Sequence, residues 1–245
     1  MSQEWIINSI VFKEKLTQGV SQLDLLEFAS SLGIGCFEIR REYLTHPRRE
    51  LIIIKERAED LGIKLFYSVN EDFFTNHGLN PYLEQFVEET LLLDAPFLKM
   101  NIGYFEPLSE ENRIQLRDLC QEGFKISLEN NQDMHNASIP NCYKAMSYLT
   151  THSYEIDFVF DTGNWLVVGE DLDEAIRIMK PFTHYVHCKN VIKTSAGYQV
   201  SSSLFTGAIN MEDILGHFSD VPYKALEYAT TKSQLVKDRM ILQQY

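Results

Sequence analysis

Residues 156–187, IDFVFDTGNWLVVGEDLDEAIRIMKPFTHYVH, decide the fold. Two β-rich runs, 156–161 and 182–187, flank a helical stretch over 171–180, so the segment reads as strand, helix, strand. Asp171, with Glu174 three residues on, makes an N-cap arrangement for that helix. A strand that returns through a helix to a second strand makes a parallel pair. Each run ends on a residue that binds divalent metals, Asp161 on the first and His187 on the second.

Working outward, the same alternation fills the chain. Further strand candidates are 6–12, 35–40, 64–68, 97–102, 124–129 and 222–227. Helical candidates are 21–32, 48–61, 80–94, 109–122, 139–151, 210–217 and 231–243. Ser109 with Asn112 is a second cap arrangement, and Gly33, Gly62 and Gly123 fall just past helix ends, where a left-handed residue is needed. Leu23, Leu26, Ala29 and Ser30 form a core-packing stripe. Eight such units in 245 residues average about 31 residues each, the size of a strand, a helix and two short loops. An open doubly wound sheet would be the competitor, but neither GxGxxG nor GxxxxGK[ST] occurs. The expectation is α/β: a closed (β/α)8 TIM barrel, one domain over 1–245. No linker or low-complexity run marks a second domain. The longest non-helical connection, 190–209, follows the seventh strand and turns around Ser195-Ala-Gly197, which predicts a hairpin over the rim.

Composition limits the function classes. Hydrophobic residues make up 44% of the chain, with 15 Phe and 12 Tyr, enough for a sizeable core. No apolar stretch approaches the roughly 20 residues that span a bilayer. The N-terminus lacks the basic and apolar regions of a signal peptide, and the four cysteines show no CxxC spacing, so the expected location is cytoplasmic, with no membrane partner. A net charge of -13 opposes a nucleic-acid partner, since phosphate contacts come from Lys and Arg. The dense basic clusters are only Arg40-Arg41 and Arg48-Arg49.

Two more strand runs end like the opening pair: 124–129 on Glu129 and 222–227 on Glu227. Taken singly, a strand-end Glu or Asp is usually a cap or a solvated residue, and a lone His a hydrogen-bonded one. Together, Glu129, Asp161, His187 and Glu227 form a hard, oxygen-rich set at strand tips that one barrel rim can gather. That set suits one divalent ion, Mn2+ first, with Mg2+, Co2+ or Zn2+ also accommodated. An ion there polarises the carbonyl of a polyol and stabilises the enediolate formed beside it. Glu129 and Glu227, from the fifth and eighth strands, are then placed to move the proton.

Phe160-Asp-Thr-Gly-Asn-Trp165, Gly169-Glu-Asp and Tyr185-Val-His-Cys-Lys-Asn190 carry a resemblance. So do Ser127-Leu-Glu-Asn130, Phe37-Glu-Ile-Arg40, Leu98-Lys-Met-Asn101 and Leu204-Phe-Thr-Gly-Ala-Ile209. In this order and spacing the chain resembles the sugar phosphate isomerase/epimerase family, the xylose isomerase-like TIM barrels, over nearly its whole length. The resemblance implies a metal held by Glu129, Asp161, His187 and Glu227, with Glu129 and Glu227 exchanging the proton as in the ketose epimerase members. It implies a small carbohydrate as substrate, and homo-oligomers are frequent among such proteins. An inosose dehydratase-like lyase and a non-catalytic ligand-binding barrel are the alternatives. Endonuclease IV, also in the family, uses a three-zinc cluster with more histidines than the seven here allow. Two positions depart from the pattern: Asn164 stands where many epimerases have His, and Asn190 where Asp is common.

Around this set, Lys189 is a candidate for an anionic oxygen. Glu38 and Arg40 alternate with Phe37 and Ile39 and so share one side of their strand. Facing the lumen, they either pair with each other, the favoured reading, or contact substrate. Asn101, Asn130 and Asn164 are candidate hydroxyl contacts. Trp165 is read either as a pocket wall or as a packed loop aromatic.

Overall fold

The computed structural model of the protein describes residues 5–121 and 124–244. Among these residues eleven strands follow one another: β1 (Ile6–Asn8), β2 (Cys36–Arg40), β3 (Lys64–Thr75), β4 (Gly78–Leu79), β5 (Leu98–Gly103), β6 (Ile126–Glu129), β7 (Ile156–Asp161), β8 (Thr183–Cys188), β9 (Val191–Thr194), β10 (Gly197–Val200) and β11 (Tyr223–Leu226). Eight of them form a parallel ring in the order β2-β1-β11-β8-β7-β6-β5-β3, closed by pairing of β3 with β2. Helices such as Gln22–Ser31, Pro47–Leu61, Leu83–Leu92, Ile139–Thr151 and Leu172–Met179 follow the strands, which makes the (β/α)8 barrel.

Side-chain alternation along the strands builds two cores. Outward residues such as Leu98, Met100 and Ile102 pack against the helices in the main apolar cluster. Inward residues Ile6, Cys36, Phe66, Phe97, Val159, Tyr185 and Ala225 form a separate plug inside the barrel. Its rings pack edge to face, with Phe97 5.4 Å from Tyr185 and 5.4 Å from Tyr223 between centroids. Two residues farther along the strands the lumen turns polar: Asn8, Glu38, Ser68, Lys99, Ser127, Asp161, His187 and Glu227 are all buried. One period-2 pattern therefore places apolar side chains at one end and ionisable ones at the other.

Several boundaries differ from the sequence expectation for local reasons. The first strand stops at Asn8, because its side-chain Oδ1 accepts from Ile10 N at 2.9 Å and starts a 3-10 turn over Ser9–Phe12. β3 continues past residue 68 to Thr75, shifting register between Val69 and Asp72, and pairs with β4 above the rim. Gly103 at the end of β5 has φ 74, and a Cβ there would strike the Phe74 carbonyl, so only glycine fits. Gly33 and Gly62 take the left-handed conformation expected of them, while Gly123 lies outside the described residues.

The connection after β8 forms the expected hairpin, β9 against β10. Asn190 fixes its base. The side-chain Nδ2 donates to Leu204 O at 2.8 Å and Ile209 O at 2.9 Å, while Oδ1 accepts from Val191 N and Ile209 N. An aspartate could not donate, which accounts for Asn at this position. Among the described residues no helix is long and apolar enough to cross a membrane.

Candidate metal centre

β6, β7, β8 and β11 deliver Glu129, Asp161, His187 and Glu227 to one point at the rim. One ligand atom from each lies within 4.8 Å of all the others, and all four residues are buried. Ligands on opposite sides of a small divalent ion stand about 4 Å apart, so modest side-chain shifts bring this set around one ion. Local turns hold the set in place. Asp161 Oδ1 accepts from Gly163 N and Asn164 N, both at 2.9 Å, and this starts a short helix over Asn164–Val168 that the sequence did not announce. The other carboxylate oxygen, Oδ2, is buried without a hydrogen bond; Lys189 Nζ lies 2.8 Å away in charge contact but out of line. An orphaned carboxylate oxygen beside three other ligands is what a metal centre needs.

The imidazole is oriented from behind. His187 Nδ1 faces Glu129 Oε1 at 2.6 Å and Glu227 Oε2 at 3.4 Å, while Nε2 faces Glu38 Oε2 at 3.3 Å. Glu38 also accepts from Asn8 Nδ2 at 2.6 Å and from the Tyr185 hydroxyl. Burial pushes the Glu38 carboxyl up, but His187, Lys99 and Tyr185 outweigh it and hold it below its usual range. Nδ1 is thus the nitrogen left for an ion. Glu38→Gln is expected to weaken Mn2+ binding about 10- to 100-fold, the usual loss when a ligand's supporting carboxylate goes. Titration of Mn2+ followed by its EPR signal checks this, and an unchanged Kd removes Glu38 from that role.

The expected pairing of Glu38 with Arg40 is not found, since each has stronger company. Arg40 donates through Nη1 to Glu227 Oε1 at 2.7 Å and through Nε to Glu42 Oε1 at 2.6 Å. Gln22 grips its backbone on both sides, donating to Arg40 O at 2.8 Å and accepting from Arg40 N at 2.9 Å. Lys189 Nζ bridges Asp161 and Glu227, at 2.8 and 2.9 Å. Lys99 pairs with Glu129 from β5. The sequence reading passed over Lys99, although a lysine between Leu98 and Met100 in an apolar strand is itself a signal, since alternation sends it into the lumen.

These charges set the titration of the centre. Burial lowers His187, yet Glu129, Glu227 and Glu38 together raise it well above its ordinary value. Burial first, then Glu227 and Glu129, push Asp161 up to about 7 against the opposing pull of Lys189. Glu129 and Glu227 are both held low despite burial, Glu129 by Lys99 and His187, and Glu227 further down by Lys189, His187 and Arg40.

The candidate hydroxyl readers divide. Asn130 and Asn164 tie down the loops that carry Asp161: Asn130 bonds both backbone groups of Asp161, and Asn164 Nδ2 donates to Asn130 O at 2.7 Å while its Oδ1 is buried without a partner. Asn101 donates to Asn70 at 3.2 Å, and its Oδ1 is buried without a partner. Trp165 is fully buried 5.6 Å from the Phe160 ring, a packed aromatic and not a pocket wall. A cavity of about 290 Å3 opens above the centre, lined by Lys13, Arg40, Asn70, Lys99, Glu129 and Glu227 among others. A larger groove of about 640 Å3 lies near Tyr143 and Glu174 on the outer helices, away from the ligand cluster.

Fold and rim together define the architecture: a (β/α)8 TIM barrel with a buried oxygen-and-imidazole cluster at its mouth. Among solved structures, the zinc-containing IOLI protein is 17% identical with a TM-score of 0.66, covering 98% of this chain and 94% of its own. The 3-keto-D-glucoside 4-epimerase YcjR from E. coli is 12% identical, TM-score 0.66, covering 99% of both chains. The probable 3-DHS dehydratase AsbF of petrobactin synthesis from Bacillus anthracis is 15% identical, TM-score 0.65, covering 99% and 97%. No family model and no curated protein sequence matches the chain.

Proposed function

We propose that the protein is a divalent-metal-dependent isomerase or epimerase of a small carbohydrate, moving a proton at the carbon beside a carbonyl. One observation carries this reading. Of the four ligand-type residues, Glu129 and Glu227 line the cavity while Asp161 and His187 lie beneath them. The two glutamates are therefore the carboxylates that face a bound substrate. Glu129, Asp161, His187 and Glu227 would hold the ion, with Mn2+ the first choice for this donor set. When bound, the ion supplies Lewis-acid polarisation of the substrate carbonyl.

The chain's own residues do the rest. Both glutamates are ionised at neutral pH and can accept a proton from carbon. Lys99 beside Glu129, and Lys189 with Arg40 beside Glu227, offer N–H donors to negative charge developing on oxygen. Asn70 and Asn131 on the cavity wall would face substrate hydroxyls, and Asn101 donates to Asn70 while its Oδ1 is buried without a partner. Support from known folds includes sugar epimerases such as D-psicose 3-epimerase, 14% identical with a TM-score of 0.63. The AsbF likeness and the Lys189 ammonium, placed to protonate a departing hydroxyl, favour dehydration as the second reading.

The test is wash-in of solvent deuterium. Metal-supplemented protein in D2O is expected to label ketoses at the carbon next to the carbonyl, and loss of water from an inosose would select the lyase. No label in any substrate, with metal shown to be bound, would overturn both readings.

Metal uptake should also depend on pH. Binding requires Asp161 ionised and the Nδ1 proton of His187 displaced, and both groups sit above their ordinary values. Protons are released on binding, about one to two per ion, so affinity rises with pH and falls steeply below about 7. Calorimetric titration in buffers of different ionisation enthalpy counts those protons directly.

A further inference from the structure

We infer that the substrate of this centre is an anion, a sugar acid or sugar phosphate, whose charged group is held by Lys99 and Arg40 on the cavity wall. The inference rests on the metal-dependent reading above and narrows its substrate class.

Charge is the first argument. Four buried carboxylates, Glu38, Glu129, Asp161 and Glu227, meet three cations, Arg40, Lys99 and Lys189, around one point. Glu42, paired with Arg40, and Lys13, which lines the cavity, add one charge of each sign. With the imidazole neutral, a bound dication would take this balance from minus one to plus one. A neutral sugar would leave that buried positive charge uncompensated, which a low-dielectric site disfavours strongly. An anion restores the balance.

Geometry is the second argument. The dication would share Glu129 and Glu227, the carboxylates that now occupy Lys99 and Arg40. Lys99 has a single carboxylate partner for its three donors, and Arg40 commits two of its five N–H groups to carboxylates. Both line the cavity, and Lys13 stands at its mouth. Gln22 fixes the Arg40 backbone from outside the barrel, so the guanidinium fork is presented in a set position. Lysine in this place is no requirement of the fold: Ser68 and Ser127, its register partners on β3 and β6, are small and neutral.

The test compares D-glycerate, glycerol 3-phosphate and glycerol by calorimetry in Mn2+-containing buffer. At least one of the two anions is expected to bind about tenfold or more tightly than glycerol, the step that one charge-assisted contact supplies. Preference for glycerate selects a sugar acid, and preference for glycerol 3-phosphate a sugar phosphate. Lys99→Met is expected to erase the preference and Lys99→Arg to keep most of it. Equal binding of all three ligands, or a preference that survives Lys99→Met, would overturn the inference. If Lys99→Met does not fold, the wild-type comparison and Lys99→Arg still decide it. Mn2+ uptake is followed separately by EPR, so failure of the metal reading shows as absent uptake and failure of this one as absent anion preference.

Discussion

Glu129→Gln is expected to slow solvent-deuterium exchange into substrate by about 10^3-fold, within the usual range for losing a positioned base. The amide keeps the shape of the side chain and one oxygen toward the ion, but it cannot accept a proton from carbon. Glu227→Gln tests the other face of the substrate. If the two glutamates divide the work, each variant should block exchange from one epimer while sparing part of the exchange from the other. Mass spectrometry of each epimer after single turnovers reads this out. A Glu129→Gln protein that exchanges at the parent rate would remove the base from the mechanism.

The second large effect is on stability. Trp165 is fully buried, and its ring packs 5.6 Å from Phe160 and 6.3 Å from Phe158 behind the strand that carries Asp161. Trp165→Ala is expected to cost about 3–5 kcal/mol, the range for emptying a large aromatic site in a core. The indole N–H has no partner, so the loss is one of packing and cavity formation, with no hydrogen bond to add. Urea unfolding measures it, and a loss under about 1 kcal/mol would mean that the loop relaxes into the space. The same variant should lower metal affinity, since the Asp161 turn rests on this ring.

How much of this could be read beforehand follows from which interactions are periodic. The eight strands and the four strand-tip ligand types are legible because alternation and position in the repeat are properties of the chain alone. Sequence spacing does not encode pairwise choices within the lumen. Glu38 and Arg40 share a face, yet Glu38 turns to His187 and Tyr185 and Arg40 to Glu227, partners almost 150 or more residues away. Asn130 and Asn164 look like ligand-facing amides in sequence, and Asn190 stands out only as a departure from the common Asp. In the fold they tie down loops, because a buried backbone carbonyl needs a donor more urgently than a pocket needs a hydroxyl contact. Lys99 went unread for the opposite reason: a buried lysine is rare, and the carboxylate that explains it lies on the next strand.

Among the described residues, the ring-filled lower end of the barrel, where Phe66, Phe97, Tyr185 and Tyr223 meet, leaves no rear passage. Arrival and departure must then share a single doorway. On the proposed reading, product would have to vacate before the next substrate molecule enters, so the two should compete for the free protein in simple one-for-one fashion.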